Sequence, residues 1–371
     1  MSPLSALGQF GQSYWLDDLT RPMIRSGELQ QRVINEGLTG VTANPTIFRA
    51  ALHASDAYDR QIRELAVHPL NVIYEALIVS DVREACDILR PVYDRTQGRD
   101  GFVSLEVSPH LAHNTQGSIV EAHRLWQAVG RRNLFIKIPG TFEGIAAVEA
   151  LLFDGINVNV TLLFSVERYE EIARAYMSAL ERRNAAGKPL AGVASVASFF
   201  LSRIDTRVDE QLRQKIAGGM SGAQGLLGKS AVANAKVAYQ RFKELTSSSR
   251  WRALERAGAR PQRLLWASTS TKNPAYDDLM YVEPLIGAHT VNTMPRATIA
   301  AFADHGKVTA SLEQGSHEAL QIMRDLQRAG IDVPQVTREL LDAGIAQFVG
   351  SMNDILQTIG TKAIAGVRMQ A

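Results

Sequence analysis

The stretch LFIKIPG (residues 134–140) is a short apolar run with one lysine near its end, and a segment of helical period, residues 144–153, follows it. The same order, an apolar run and then a longer helix-like segment, recurs along the chain and predicts a parallel sheet. Eight such units favour an α/β fold of the closed (βα)8 or TIM-barrel type over an open sheet. The candidate strands are residues 14–16, 41–43, 102–107, 134–138, 158–162, 192–197, 264–267 and 289–292.

The chain is longer than such a barrel requires. A (βα)8 barrel takes about 250 residues, and this chain has 371. The surplus falls in residues 50–71, in residues 218–259 and in a C-terminal helix near residues 336–359, just after Pro334. No linker rich in proline, glycine or serine separates these parts. The sequence therefore predicts one domain over residues 1–371, with added helices.

The composition is that of an ordinary soluble protein, with 46% hydrophobic and 21% charged residues. The net charge is +2 and no basic run stands out, which makes nucleic acid an unsuitable partner. The single cysteine, Cys86, excludes an intrachain disulfide and suits a reducing compartment. No secretion signal is visible, and the longest apolar stretch falls short of the roughly 20 residues of a bilayer span. We expect a cytoplasmic protein that does not bind membranes.

Polar side chains stand near the carboxyl end of nearly every candidate strand. A single polar residue there would be an ordinary cap of the next helix. Active sites of (βα)8 barrels, however, are built at this end, and a set that covers most of the strands is a stronger signal. The set comprises Asp17, Asn44, Glu106, Lys137, Asn159, Thr161, Ser198, Ser268 and Asn292.

Lys137 is the central residue of this set. A lysine in an arbitrary strand usually extends its ammonium group to the surface. In the mouth of a barrel, desolvation instead favours the neutral amine, which can attack a carbonyl and form an imine. Cleavage of a neighbouring carbon–carbon bond then needs a base and a proton shuttle. Asp17 and Glu106 are the candidates for these roles. The alternatives are that one of Asp17 and Asp18 caps the following helix and that Glu106 faces solvent.

Five segments resemble the transaldolase family, in the order in which that family carries them. The resemblance covers residues 15–295, and the length and added helices suit the actinobacterial and cyanobacterial branch. The segments are GVTANPT (40–46), FIKIPGTFEGI (135–145), INVNVTLLFS (156–165), WASTSTKNPAY (266–276) and VNTMP (291–295).

The resemblance implies a role for each polar residue. Lys137 is then the Schiff-base lysine, and Asp17 is the base that accepts the hydroxyl proton when the carbon–carbon bond breaks. Glu106 and Thr161 hold the catalytic water. The residues implied to bind the dihydroxyacetone moiety are Asn44, Asn159 and Ser198.

Three further residues concern the phosphate and the type of reaction. Arg203 is implied to bind phosphate, for which its guanidinium fork is suited; a surface ion pair with a nearby aspartate is the alternative. Phe200 stands where transaldolases carry phenylalanine and the related fructose-6-phosphate aldolases carry tyrosine, which favours transfer over cleavage. Lys272 stands where some transaldolases have a second phosphate-binding arginine. Because lysine lacks the guanidinium fork, a role of Lys272 as second phosphate ligand is left open.

Three other functions are alternatives that the sequence raises. AQGLLGKS (residues 223–230) meets a relaxed P-loop pattern, but the segment before it reads as a helix, whereas a P-loop must follow a strand. The eight histidines, among them the close pair His110 and His113, show no metal-ligand spacing, which argues against a metal-dependent aldolase. A sugar-phosphate-binding barrel without catalysis would bind ligand but form no imine.

The resemblance implies reversible transfer of a dihydroxyacetone unit from sedoheptulose 7-phosphate to glyceraldehyde 3-phosphate, as in the non-oxidative pentose phosphate pathway. Neither a metal nor an organic cofactor is expected. The expected partners are small sugar phosphates, and the sequence leaves a homo-oligomer open.

Overall fold

The computed structural model describes residues 2–368 and confirms the predicted architecture. Eight parallel strands form a closed barrel in which each strand pairs with the next and the last pairs with the first. The strands are β1 Gln12–Asp17, β2 Gly40–Thr42, β3 Phe102–Glu106, β4 Leu134–Pro139, β5 Val158–Leu163, β6 Ser195–Phe200, β7 Arg263–Ala267 and β8 Thr290–Met294.

Two strands begin later than the sequence predicts, for the same physical reason. Gly192 has φ +92° and His289 has φ +58°. A left-handed residue interrupts regular strand pairing, so β8 starts only at Thr290, directly after His289, and β6 starts at Ser195, three residues after Gly192.

Helices surround the barrel and account for the surplus length. They are α1 Pro3–Ala6, α2 Arg21–Arg25, α3 Glu28–Gln31, α4 Pro45–Ala54, α5 Asp59–Glu64, α6 Leu70–Arg95, α7 Thr115–Val129, α8 Phe142–Asp154, α9 Val166–Ala185, α10 Ser202–Ala217, α11 Ser230–Ser247, α12 Ser249–Arg256, α13 Arg296–His305, α14 Ser316–Arg328 and α15 Val333–Arg368.

The added segments are helical, as expected. Residues 50–71 contain the end of α4 and all of α5, and residues 218–259 contain α11 and α12. Before α11 the chain passes from α10 through a 3₁₀ turn, Ser221–Leu226, so a helix and not a strand precedes the P-loop-like segment. Among residues 2–368, no helix combines the length and the apolar character that crossing a bilayer requires.

Aromatic rings fill the barrel interior towards the amino-terminal ends of the strands. Phe102 and Phe135 stack with their centroids 4.2 Å apart, and Trp15 packs against both. Each of these side chains is at most 1% exposed, and burying one large apolar side chain stabilises a fold by about 1.5–3 kcal/mol. This packed plug closes the amino-terminal end of the barrel and leaves the carboxyl end for polar groups.

Helix α15 lies against the carboxyl end of the barrel. Its buried side chains include Phe348 and Ile355, which pack into the core. Thr46 and Ser351 share a hydrogen bond of 3.1 Å, and Lys362 Nζ lies 2.6 Å from Asp59 Oδ1. Partly exposed ion pairs contribute little, so the buried apolar face holds this helix in place.

Candidate active site

A cavity of about 280 Å³ opens at the carboxyl ends of the strands. It brings together most of the side chains that the sequence singled out, although they come from six separate parts of the chain. Those that line it are Asp17, Asn44, Lys137, Thr161, Ser198, Phe200, Arg203, Ser268 and Lys272. Glu106 and Asn159 do not line this cavity but stand in register beside Lys137 on the two neighbouring strands.

Lys137 is 5% exposed and does not extend to the surface. Its Nζ donates a hydrogen bond of 3.1 Å to the carbonyl oxygen of Ala43 and lies 3.2 Å from Oε2 of Glu106. The strand register explains the second contact, because Glu106 and Lys137 are direct neighbours on adjacent parallel strands. A buried amine beside a carboxylate can pass a proton to it before attacking a carbonyl.

The two carboxyl groups differ in their surroundings. Burial raises the pKa of Glu106, and the charge of Lys137 opposes that rise only in part. Burial also raises the pKa of Asp17, against a hydrogen bond from Thr42 and the charge of Lys137. Thr42 Oγ1 donates to Asp17 Oδ1 at 2.7 Å. Desolvated carboxyls of this kind are suited to proton transfer.

An amide and two hydroxyl groups continue the site along β5 and β6. Ser198 Oγ donates to Asn159 Oδ1 at 2.6 Å, and Asn159 Nδ2 donates to Ser104 Oγ at 3.1 Å. Thr161 Oγ1 is fully buried and has no hydrogen-bond partner within residues 2–368. The strand is irregular just beyond it, because Leu162 has φ +58° and the register with β6 shifts. Such bulges often re-aim side chains beside active sites.

Arg203 faces the cavity rather than an acidic partner. Its guanidinium carbon lies 5.8 Å from the centre of the Phe200 ring, and burial lowers its pKa. The alternative of a surface ion pair with a nearby aspartate is wrong. Asp205 accepts from Ala231 N and Tyr281 Oη, and Asp209 accepts from Gly228 N and Tyr276 Oη. The hydrogen-bonding fork of Arg203 therefore remains available to an anion.

Lys272 stands at the rim of the same cavity. Its Nζ donates to Ser270 Oγ at 2.6 Å. Partial desolvation at the rim lowers the pKa of Lys272, the charge of Arg203 lowers it further, and the charge of Asp17 opposes both. Because the charge of Arg203 acts on Lys272, the two cations repel each other, and an anion between them would relieve that repulsion.

Asn44 caps a helix and also lines the cavity. Its Oδ1 accepts a hydrogen bond of 3.1 Å from Ile47 N at the start of α4, and its amide nitrogen is left for another partner. The capping interpretation and the binding interpretation therefore use different atoms of one side chain.

The sequence missed several lining residues. Thr293, not Asn292, reaches the cavity, and its hydroxyl lies 2.7 Å from that of Thr42. The period-two alternation along β8 could have identified Thr293, since it is paired with Trp15 of the barrel interior. Gln347 and Phe348 also line the cavity, and no local signal marks them because α15 reaches the site only in the folded chain.

Within the part of the chain that the structure describes, no three His, Cys, Asp or Glu side chains are grouped so that they could hold a metal ion. The chemistry available to the cavity is therefore that of a buried amine, two carboxyls, hydroxyl groups and two cations. These groups suit a carbonyl compound that carries a phosphate.

Comparison with known proteins agrees with this chemistry. Residues 14–359 match the model of the transaldolase/fructose-6-phosphate aldolase family. The chain is 48% identical over 370 residues to "Transaldolase 2" of Nostoc sp., covering 97% of each chain. It is 46% identical over 367 residues to the transaldolase of Thermobifida fusca, covering 98% of this chain and 99% of the relative. The resemblance seen in the sequence is thereby confirmed, and the chain belongs to the transaldolase/fructose-6-phosphate aldolase family.

Proposed function

We propose that this protein is a transaldolase that transfers a dihydroxyacetone unit from sedoheptulose 7-phosphate to glyceraldehyde 3-phosphate. The products are erythrose 4-phosphate and fructose 6-phosphate. The observation that carries the proposal is the buried Lys137 amine, 3.2 Å from the Glu106 carboxyl, in a cavity whose rim holds Arg203 and Lys272. The full-length relatives named transaldolase support it.

The first step joins Lys137 to the substrate. Nζ, having passed a proton to Glu106, adds to the ketone carbon and forms a carbinolamine. Glu106 returns the proton to the departing hydroxyl, the carbon–oxygen bond breaks, and one water is released as the imine forms. Thr161, whose hydroxyl has no hydrogen-bond partner among residues 2–368, holds this water together with Glu106.

The second step breaks the carbon–carbon bond. Asp17 accepts the proton of the C4 hydroxyl, two carbons from the imine carbon C2, the bond between C3 and C4 breaks, and its electrons flow to the protonated imine nitrogen. The aldose phosphate leaves, and a three-carbon enamine stays on Lys137. Asn44 and Ser198 hold the hydroxyls of this unit by hydrogen bonds until an acceptor aldehyde reverses the step, and Asn159 orients the Ser198 hydroxyl from behind.

Two features direct the reaction to transfer between sugar phosphates. Arg203 and Lys272 bind the phosphate end, which places the reacting carbon over Lys137. Phe200 offers no hydroxyl that could deliver a proton or a water to the enamine. The three-carbon unit therefore waits for an aldehyde, which favours transferase over aldolase activity in this two-function family.

The proposal extends to the setting of the enzyme. Imine chemistry needs neither a metal nor an organic cofactor, because the protonated nitrogen is the electron sink. The partners are small sugar phosphates, with neither nucleic acid nor membrane involved. The single buried Cys86 suits the cytoplasm, and self-association into a homo-oligomer would leave this chemistry unchanged.

Borohydride trapping tests the proposal. The enzyme is reduced in the presence of fructose 6-phosphate, digested and mapped by mass spectrometry, in parallel with Lys137→Ala and with excess chelator. We expect one adduct, on Lys137, formed equally with and without chelator. An adduct on a different lysine would contradict the assignment. Ligand binding without any adduct would support a non-catalytic sugar-phosphate-binding barrel instead.

A further inference from the structure

A second cavity lies behind the catalytic lysine, on the outside of the barrel wall. It encloses about 600 Å³ between α6 and α7, and Met352 and Leu356 of α15 line it as well. We call it the side cavity. Its polar lining matters most here and includes Tyr74, Glu106, Ser108 and Glu121. Glu106 therefore links the side cavity to Lys137. Lys137 lines the cavity at the carboxyl ends of the strands, which we call the substrate cavity.

The pairing between β2 and β3 ends early at this place. Strand β2 has only three residues, and it pairs with β3 only through Gly40 with Phe102 and Val41 with Val103. Glu106 stands three residues beyond the last of these pairs, so no β2 residue flanks it within the described chain. The opposite edge of β3 stays paired with β4 as far as Lys137. Glu106 thus lies at the end of β3, where the edge that faces β2 is unpaired. Lys137 is on one side of it and the side cavity is on the other.

The carboxyl group of Glu106 is under-satisfied by protein. Both oxygens are buried, and none of residues 2–368 other than Lys137 reaches them with a polar group. Buried carboxyl groups in proteins are normally met by hydrogen-bond donors or by water. The side cavity, roomy and partly polar, is a place from which water can reach this group.

Polar groups continue from Glu106 towards the outer surface. Burial, followed by the charges of Glu106 and Glu121, raises the pKa of the Tyr74 phenol, so Tyr74 lies within the electrostatic reach of both carboxyls. Glu121 is only partly buried, and Val120, which is 57% exposed, lines the same cavity and marks its rim. A polar path therefore runs through the side cavity, from Glu106 past Tyr74 and Glu121 to solvent.

We propose that the side cavity is a water channel through which the water of imine formation leaves the Lys137–Glu106 pair and bulk water returns for hydrolysis. This inference rests on the imine chemistry proposed above. The substrate cavity, about 280 Å³, is at the small end of ligand sites, so a bound seven-carbon ketose phosphate leaves little room for water to pass. The nitrogen–carbon bond forms, the carbon–oxygen bond breaks, and the released water leaves by the other side of Glu106.

Oxygen isotope exchange tests this route. Enzyme and fructose 6-phosphate are placed in ¹⁸O-labelled water together with labelled glyceraldehyde 3-phosphate. Two rates are measured: the entry of ¹⁸O into the ketose carbonyl, and the entry of labelled glyceraldehyde 3-phosphate into the same ketose. The first rate is divided by the second. Both processes pass through the imine, but only the first requires the released water to be replaced by bulk water. Two variants alter the channel: Val120→Trp obstructs its rim, and Tyr74→Phe removes a hydroxyl from its path. Val67→Trp is the matched control, because Val67 is 91% exposed and does not line the side cavity.

We expect both channel variants to lower the ratio, Tyr74→Phe by up to about tenfold, the rate equivalent of one lost hydrogen bond to a channel water, while KM and the Val67→Trp ratio stay unchanged. A variant with merely damaged structure would slow both exchanges together and leave their ratio intact. If Val120→Trp fails to fold, Tyr74→Phe alone decides. An unchanged ratio in a variant that still forms the borohydride adduct refutes the channel only, whereas loss of the adduct from the wild-type enzyme refutes the proposed function.

Discussion

The two cations at the cavity rim should contribute unequally to phosphate binding. Arg203 is half-buried, makes no ion pair among the described residues and presents a guanidinium fork. A charge-assisted hydrogen bond in such a setting is worth about 2–3 kcal/mol. Arg203→Ala should therefore raise KM for fructose 6-phosphate by roughly 30- to 150-fold.

Lys272 should matter less, for three physical reasons. Its side chain is exposed, its Nζ must give up the 2.6 Å hydrogen bond to Ser270, and an ammonium group offers phosphate a point charge without a fork. Exposed ion pairs contribute about 0.5–1 kcal/mol. Lys272→Ala should raise KM by only about 2- to 5-fold, and most of this effect should disappear at about 1 M salt, where the screening length falls to a few ångströms.

The assay compares fructose 6-phosphate with fructose, which has the same reacting carbon and no phosphate. Both variants should match the wild type on fructose, because the groups around Lys137 are unchanged. Arg207→Ala is the matched control, since Arg207 stands one turn further along α10 and pairs with Glu210 and Glu339 outside the cavity. A larger effect of Lys272→Ala than of Arg203→Ala, or an equal loss on fructose, would refute the reasoning.

Three further predictions concern stability and reaction type. Because burial raises the pKa of Asp17 in the folded protein, this carboxyl lowers stability progressively as the pH rises from its unfolded-state pKa to its folded-state pKa, and in full above both. Asp17→Asn should therefore raise the free energy of unfolding at about pH 8, and in denaturant titrations the gain should vanish at about pH 3, below both pKa values. Phe200→Tyr should raise the ratio of fructose 6-phosphate cleavage to transfer, and an unchanged ratio in a coupled assay would contradict the role of the missing hydroxyl. Gly144→Ala would place a Cβ 2.0 Å from the Pro139 carbonyl oxygen. It should lower the free energy of unfolding by about 2–4 kcal/mol, measured by thermal melts. Gly350 has open space around it, so Gly350→Ala should be neutral or slightly stabilising in the same measurement.

The barrel could be predicted because both faces of its strands are buried. Runs such as LFIKI then stand out as continuous apolar segments, and a polar residue near the end of such a run is conspicuous. That reasoning located Lys137 and Glu106 on adjacent strands. It located Asn292 wrongly, since Thr293 is the residue that faces the cavity. The error came from choosing the most polar residue near the end of β8 instead of following the alternation along it.

Two features of the site could not be read from the sequence. Gln347 and Phe348 belong to a helix whose local pattern shows only that it is helical, and its position over the barrel mouth depends on packing with residues some 300 positions earlier, such as Thr46. The gap between β2 and β3 is likewise a matter of pairing register, to which residue identity gives no direct clue. Both features depend on tertiary contacts.

The surroundings of the two carboxyl groups suggest why each has its own task. Asp17 accepts a hydrogen bond from Thr42. This hydrogen bond stabilises the ionised carboxylate and so offsets part of the rise in pKa that burial causes. Glu106 has only Lys137 to offset its burial, so it holds a proton more readily when Lys137 is neutral. A base that abstracts a hydroxyl proton should begin ionised, whereas a shuttle beside the amine should be able to take a proton and return it. These environments support the proposal that Asp17 acts in bond cleavage and Glu106 in imine formation, in the way that paired carboxyls divide acid and base roles elsewhere.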